Sequence, residues 1–224
     1  MPKFSLPAII GSSLLAAGIV ALAPTNASAI TMFTLEGNDN FGSDPVKVKF
    51  TLEDLGDDIK FTVDVLPEDN TGNIGDLRGI FFDILDDSLL PGLSVTGADV
   101  TNQVFSANNV INLGQGANLN GDGNKNFDAG VRFGTPGIGS DDIRSTMFIL
   151  DHVSQSLDLA MFDAQTFGAR LTSVGPEGSG RGGSSKIKGV PPTEPPTEKV
   201  PEPAAMAGLA VVALAGAIKR RQAR

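Results

Sequence analysis

The densest set of oxygen-bearing side chains lies mid-chain, in the run Asn118-Leu119-Asn120-Gly121-Asp122-Gly123-Asn124-Lys125-Asn126-Phe127-Asp128. Asn118, Asn120, Asp122 and Asn124 occupy alternate positions, and Asp128 follows four residues on. A calcium ion gathers about six to eight hard oxygens, and a glycine permits the sharp turn that brings them together. The same composition also makes an ordinary Asn/Gly turn, because these residues tolerate positive φ. Calcium ligation by Asn118, Asn120, Asp122, Asn124 and Asp128 and a plain β-turn loop are therefore both open.

The run resembles the first half of an EF-hand-type calcium loop, with Ala129 at the twelfth position where that loop has a bidentate Glu. Other carboxylates come in adjacent pairs: Asp57-Asp58, Asp86-Asp87 and Asp141-Asp142. A glycosidase needs two carboxyls opposed across a cleft. Neighbours on one strand point to opposite faces, so no such pair can supply both groups. Solvated turn acids are the expectation. His152, in Leu150-Asp151-His152-Val153, is the single histidine. With no Cys and no G-x-S-x-G elbow, it reads as a structural histidine.

Composition narrows the field further. The chain has 224 residues, a formal net charge of −9, 27 Gly, 14 Pro and 13 Phe, and neither Cys, Trp nor Tyr. Disulfides, thiolate nucleophiles, Cys-ligated zinc and iron–sulfur clusters are excluded. An acidic surface argues against nucleic acid, which rewards a basic face. Carbohydrate platforms built on Trp and Tyr are absent too. No enzyme is expected.

These residues must be positioned by strands. Val46, Val48, Phe50 and Leu52 alternate with polar residues, as do Ile59, Phe61, Val63 and Val65, and Asp54–Asp58 supplies a turn between them. Further runs at 77–85, 93–100, 104–113, 127–133, 145–150, 157–162 and 167–173 bring the total to about nine strands, with Gly, Asn, Asp or Pro between them. The pattern predicts an all-β fold, an antiparallel, jelly-roll-like β-sandwich, over residues 30–174. Phe33, Phe50, Phe61, Phe81, Phe133, Phe148 and Leu171 are its expected core. Residues 175–199 read as a Gly/Ser- then Pro-rich linker. A last edge strand at Ser184–Lys188 would carry the domain to about residue 188.

The two ends read as addresses. Lys3, the apolar run Ala8–Leu22 and Ala27-Ser28-Ala29 form a signal helix with a signal-peptidase site at Ala27 and Ala29, over residues 1–29. At residues 200–224, Pro201-Glu202-Pro203 is followed by the uncharged Ala204–Ile218 and then by Lys219, Arg220, Arg221 and Arg224. Fifteen helical residues rise about 22 Å, short of the roughly 30 Å hydrocarbon core, so this would be a marginal transmembrane helix with a basic cytoplasmic end. Between the two addresses, 26 acidic residues face 12 Lys and Arg, a balance of −14.

The tripartite tail resembles the PEP-CTERM sorting signal. That resemblance implies recognition by an exosortase, which removes the anchor and leaves the protein at the cell surface or outside the cell. The stretches Phe133–Ile143 and Phe167–Gly175 resemble exported cyanobacterial proteins carrying this tail, which implies no activity. The expectation is an exported, non-enzymatic cell-surface or extracellular-matrix protein, transiently anchored in the inner membrane. The alternatives are a calcium-assisted module binding exopolysaccharide or a surface protein, and an exopolysaccharide-acting enzyme using loop carboxylates.

Overall fold

The two alternating runs form β2 (Val46–Asp54) and β3 (Ile59–Leu66), paired antiparallel from Lys47↔Leu66 to Asp54↔Ile59. Their inward residues are buried and their outward ones half-buried, the period-two signature of a sheet with one covered face. The computed structural model describes residues 28–37, 44–121 and 125–191. Residues 1–27 of the signal segment, with Ala27, and the sorting segment, with Pro201–Pro203 and the basic end Lys219–Arg224, lie outside them, as do Asp122 and Asn124; Ala29 is described, and its carbonyl accepts from the Asp54 N–H. Among the described residues no helix is long and apolar enough to cross a membrane.

Eight more strands complete the fold: β1 (Ile30–Gly37), β4 (Asn73–Phe82), β5 (Leu93–Thr96), β6 (Val100–Val110), β7 (Phe127–Phe133), β8 (Ser145–His152), β9 (Phe167–Pro176) and β10 (Gly183–Gly189). They make two antiparallel five-stranded sheets, ordered β1-β2-β3-β8-β5 and β10-β9-β4-β7-β6. Phenylalanines join the sheets face to face. Phe50 and Phe33 of the first meet Phe167 of the second, Phe61 meets Phe82, and Phe148 meets Phe133, with centroids 4.8 to 5.9 Å apart. Each buried ring contributes on the order of 1.5–3 kcal/mol, which is how a chain without disulfides holds its core.

Three expectations change. Residues 157–162 are not a strand: Asp158 accepts a hydrogen bond from the Ala160 N–H and starts a 3₁₀ turn at Leu159–Phe162, with adjacent Met161 and Phe162 both buried. The expected strand at 93–100 stops at Thr96, because the chain turns at Gly97, whose carbonyl accepts from the Val100 N–H. Phe81 is fully buried as expected, in a second core cluster beside the main one. The Gly-rich stretch read as the loose start of a linker is structured. β9 runs to Pro176, and β10 pairs with it from Gly183↔Val174 to Gly189↔Phe167. Arg181 locks this hairpin, donating to both Asp142 carboxylate oxygens at 2.7 Å and to the Ser173 carbonyl at 2.8 Å.

Candidate functional site

Residues 118–121 of the oxygen-rich run sit beside the second sheet, on the side away from the main core, and Phe127 and Asp128 belong to β7. Gly168, Phe81 and Gly130 lie side by side on β9, β4 and β7. The two glycines leave a shallow floor on either side of the Phe81 ring. A Cβ on Gly130 would come within 2.9 Å of Leu113 and Val110, and one on Gly168 within 2.5 Å of Leu119. Residues 111–121 cross this floor as a strap, burying Leu113, Ala117 and Leu119 against Phe81 and Phe127. Asn112 and Asn118 pair as an isolated β-bridge that closes the strap on itself.

Cations clamp the strap from the neighbouring strands. Arg132 on β7 donates to the Leu113 carbonyl (2.9 Å), Arg170 on β9 to Gly116 (3.1 Å) and Lys186 on β10 to Asn120 (2.6 Å). Burial lowers the basicity of Arg170, and burial together with the Arg170 charge lowers that of Lys186. These groups occupy strap carbonyls with positive charge, an arrangement that competes with a divalent cation.

Asp128 is buried, and its two oxygens accept from the backbone N–H groups of Ile84 (3.1 Å) and Asn108 (2.7 Å). Next to it, buried Asp83 pairs through Oδ2 with Lys125 at 2.6 Å, while its Oδ1 has no partner among the described residues. Asn118 turns its amide back toward the Gly116 carbonyl. Of the five ligands read from the sequence, Asn118 and Asn120 take part in contacts of the strap, and Asp128 ties β7 to Ile84 and Asn108. No cluster of three or more His, Cys, Asp or Glu side chains suited to a metal occurs among the described residues.

The acidic pairs divide by role. Asp86 caps a 3₁₀ turn through the Ser88 N–H, and hydrogen bonds from the Ser88 hydroxyl and then its N–H hold the carboxyl below the usual range. Asp57 accepts from the Ser156 hydroxyl. Asp141 accepts from the Thr135 N–H and hydroxyl. Asp142 takes both Arg181 bonds and one from Arg144, and the Arg181 bonds hold its carboxyl low. His152 is buried, and its Nδ1 accepts from the Ser154 and Gln155 N–H groups, so it caps a turn.

Two groupings were hidden from sequence reading. Asp58 and Asp151 follow from the Ile59↔Leu150 register, one step beyond it. Partial burial, then a hydrogen bond with Asp151, raises the Asp58 carboxyl. The second grouping is a buried polar knot beneath loop 134–143. Arg78, fully buried, donates to the carbonyls of Phe133 and Thr135 (both 2.6 Å) and Gly134 (3.5 Å). Asp76 accepts from the Ile143 N–H (3.1 Å) and the Thr172 hydroxyl (3.3 Å). Burial raises the Asp76 carboxyl and lowers Arg78, and the two opposite charges partly offset both shifts. A bulge between Leu77 and Gly79 re-aims Arg78. Comparison with protein-family models, with curated proteins and with solved structures gives no match.

Proposed function

We propose that the chain is an exported, non-enzymatic cell-surface or extracellular-matrix protein whose body is a jelly-roll-like β-sandwich. A signal peptidase would cut after Ala29, and an exosortase would process the tail near Pro201-Glu202-Pro203. The observation that carries this reading is the tail itself. A rigid Pro-Glu-Pro, an uncharged fifteen-residue segment and a Lys/Arg end occur in that order. The body supports it, since Asp76, Asp128, Asp141 and Asp142 accept bonds that hold loops and strands in place. Cell fractionation with intact-mass analysis tests it. The expected product is an exported chain beginning at Ile30 and lacking the terminal helix; full-length protein in the cytosol overturns the proposal.

A second reading, a calcium-assisted module binding exopolysaccharide or a surface protein, draws on one atom: the unpartnered, buried Oδ1 of Asp83 beside Asp128. A glycan array run with and without chelator separates the two. Chelator-sensitive binding supports the module; no signal in either arm removes it.

A further inference from the structure

Between Ile30 and Pro203, 26 acidic residues face 12 basic ones, so a carboxylate is easily found for any cation. Lys47, Lys49, Lys60, Lys125, Arg144 and Arg181 each pair with one. Arg78 has Asp76 beside it. Arg132, Arg170 and Lys186 have no such partner among the described residues. Two of these three are set against each other: Arg170 and Lys186 are direct partners in the β9–β10 register, which puts their Cα atoms about 5 Å apart. Like charges directly opposite destabilise a strand pair. Both side chains are partly buried. Burial lowers the basicity of both, and the Arg170 charge lowers Lys186 further.

Backbone carbonyls use only part of what the two cations offer. Arg170 donates through Nε to Gly116 and through Nη1 to Ser185, both at 3.1 Å, and Lys186 donates through Nζ to Asn120 at 2.6 Å. A guanidinium has five N–H donors and an ammonium three. Donors therefore remain on both, and neutral carbonyls cancel neither charge. Arg132 stands apart, two strands from Arg170, about 10 Å at ordinary spacing. Ala117 and Leu113 of the strap cover Gly79 between them.

We propose that Arg170 and Lys186 form an anion site on the outer face of the second sheet, and that its ligand is a small, doubly charged oxyanion, phosphate or sulfate, free or as a phosphate monoester. Charge selects this class. A carboxylate cancels half of the charge on the pair, whereas a phosphate group at neutral pH carries about −1.5 to −2. Its several oxygens accept from the planar Arg170 fork and the Lys186 ammonium together. The acidic body repels anions at long range, so the gain is confined to one small enough to touch both cations.

Isothermal titration of the full-length chain in detergent with inorganic phosphate, sulfate or acetate, at ionic strength fixed with sodium chloride, reads the site directly. The expected result is saturable binding of phosphate or sulfate, one per chain, with acetate at least roughly tenfold weaker. Lys186→Gln should weaken phosphate binding at least roughly tenfold. Lys49→Gln, whose lysine pairs with Asp64, should leave it unchanged. No saturable heat with either oxyanion, or equal affinity in the unmodified chain and Lys186→Gln, overturns the proposal. Thermal melts supply the independent reading. Bound phosphate raises the midpoint and the rise levels off, whereas exclusion of salt from the surface raises it without saturation and in every variant alike. A rise of the second kind alone overturns the proposal. Lys186→Glu sets a carboxylate beside Arg170 and should abolish the saturable response while the circular dichroism of the sheets stays unchanged; a response that persists overturns the proposal as well. Binding of a hexose phosphate but not of the hexose extends the site to a carried phosphate, and binding of the bare hexose with equal affinity contradicts it.

Discussion

Two glycine-rich loops of similar composition, residues 111–121 and 134–143, are ordered by opposite physics. The first is held from below by apolar contact, Leu113 and Leu119 over the Gly130 and Gly168 floor. Its polar clamps come from Arg132 and Lys186, both partly open to solvent. The second is held by buried charge: Arg78 gathers three consecutive carbonyls, and Asp76 and Asp141 take the loop N–H groups. Apolar attachment degrades gradually when trimmed, because the site can partly collapse. Buried charge fails abruptly, because removing one member strands another. A shared richness in glycine thus conceals different modes of failure.

The largest effect is expected at Arg78. Arg78→Met removes the cation that gathers the carbonyls of 133–135 and leaves Asp76 buried beside it, a loss of about 3–5 kcal/mol, read as a lower midpoint in urea unfolding. A loss below about 1 kcal/mol would equate this loop with the strap and erase the contrast. Arg132→Met should cost far less, since the Arg132 side chain is partly solvated.

The strap gives the intermediate effect. Gly168→Ala drives a methyl into Leu119, with an expected cost of about 1–3 kcal/mol. Pairing it with Leu119→Ala should recover part of that cost through a coupling of roughly 0.5–3 kcal/mol. Strict additivity in this double-mutant cycle would mean that the floor does not support the strap.

The smallest effect is one of sign, and pH reads it. The Asp76 carboxyl lies above its unfolded value, so its contribution to stability is complete below the ordinary carboxylate range and is lost as pH rises through the raised value. Asp142, held low by Arg181, contributes above the ordinary range and loses that contribution as pH falls through the depressed value. On acidification, Asp142→Asn should therefore flatten the loss of stability, whereas Asp76→Asn should steepen it. Thermal melts from neutral to acidic pH check both, and equal shifts of the same sign would contradict the assignment.

The sheets were legible because alternation is a local signal: Val46–Leu52 and Ile59–Val65 declare their buried face without any partner. All seven expected core residues are buried, six in the main core and Phe81 in a second cluster, and the split has a reason. The bulge at Arg78 changes which side chains β4 turns inward, and no period-two reading registers an extra residue. The Gly-rich stretch 175–183 misled because composition reports flexibility, whereas the ordering partner, Asp142 for Arg181, lies 39 residues away in sequence. Of the oxygen-rich loop, the sequence showed the donors but not the surroundings. Arg132, Arg170 and Lys186 reach it from three strands that only the sheet brings together.

The order of the strands has a consequence for how the second sheet is closed off. Its two flanks, β10 and β6, stand four strands apart, about 19 Å at ordinary strand spacing. No single loop can shield both, and each flank has its own neighbour in the first sheet: β1 beside β10, and β5 beside β6.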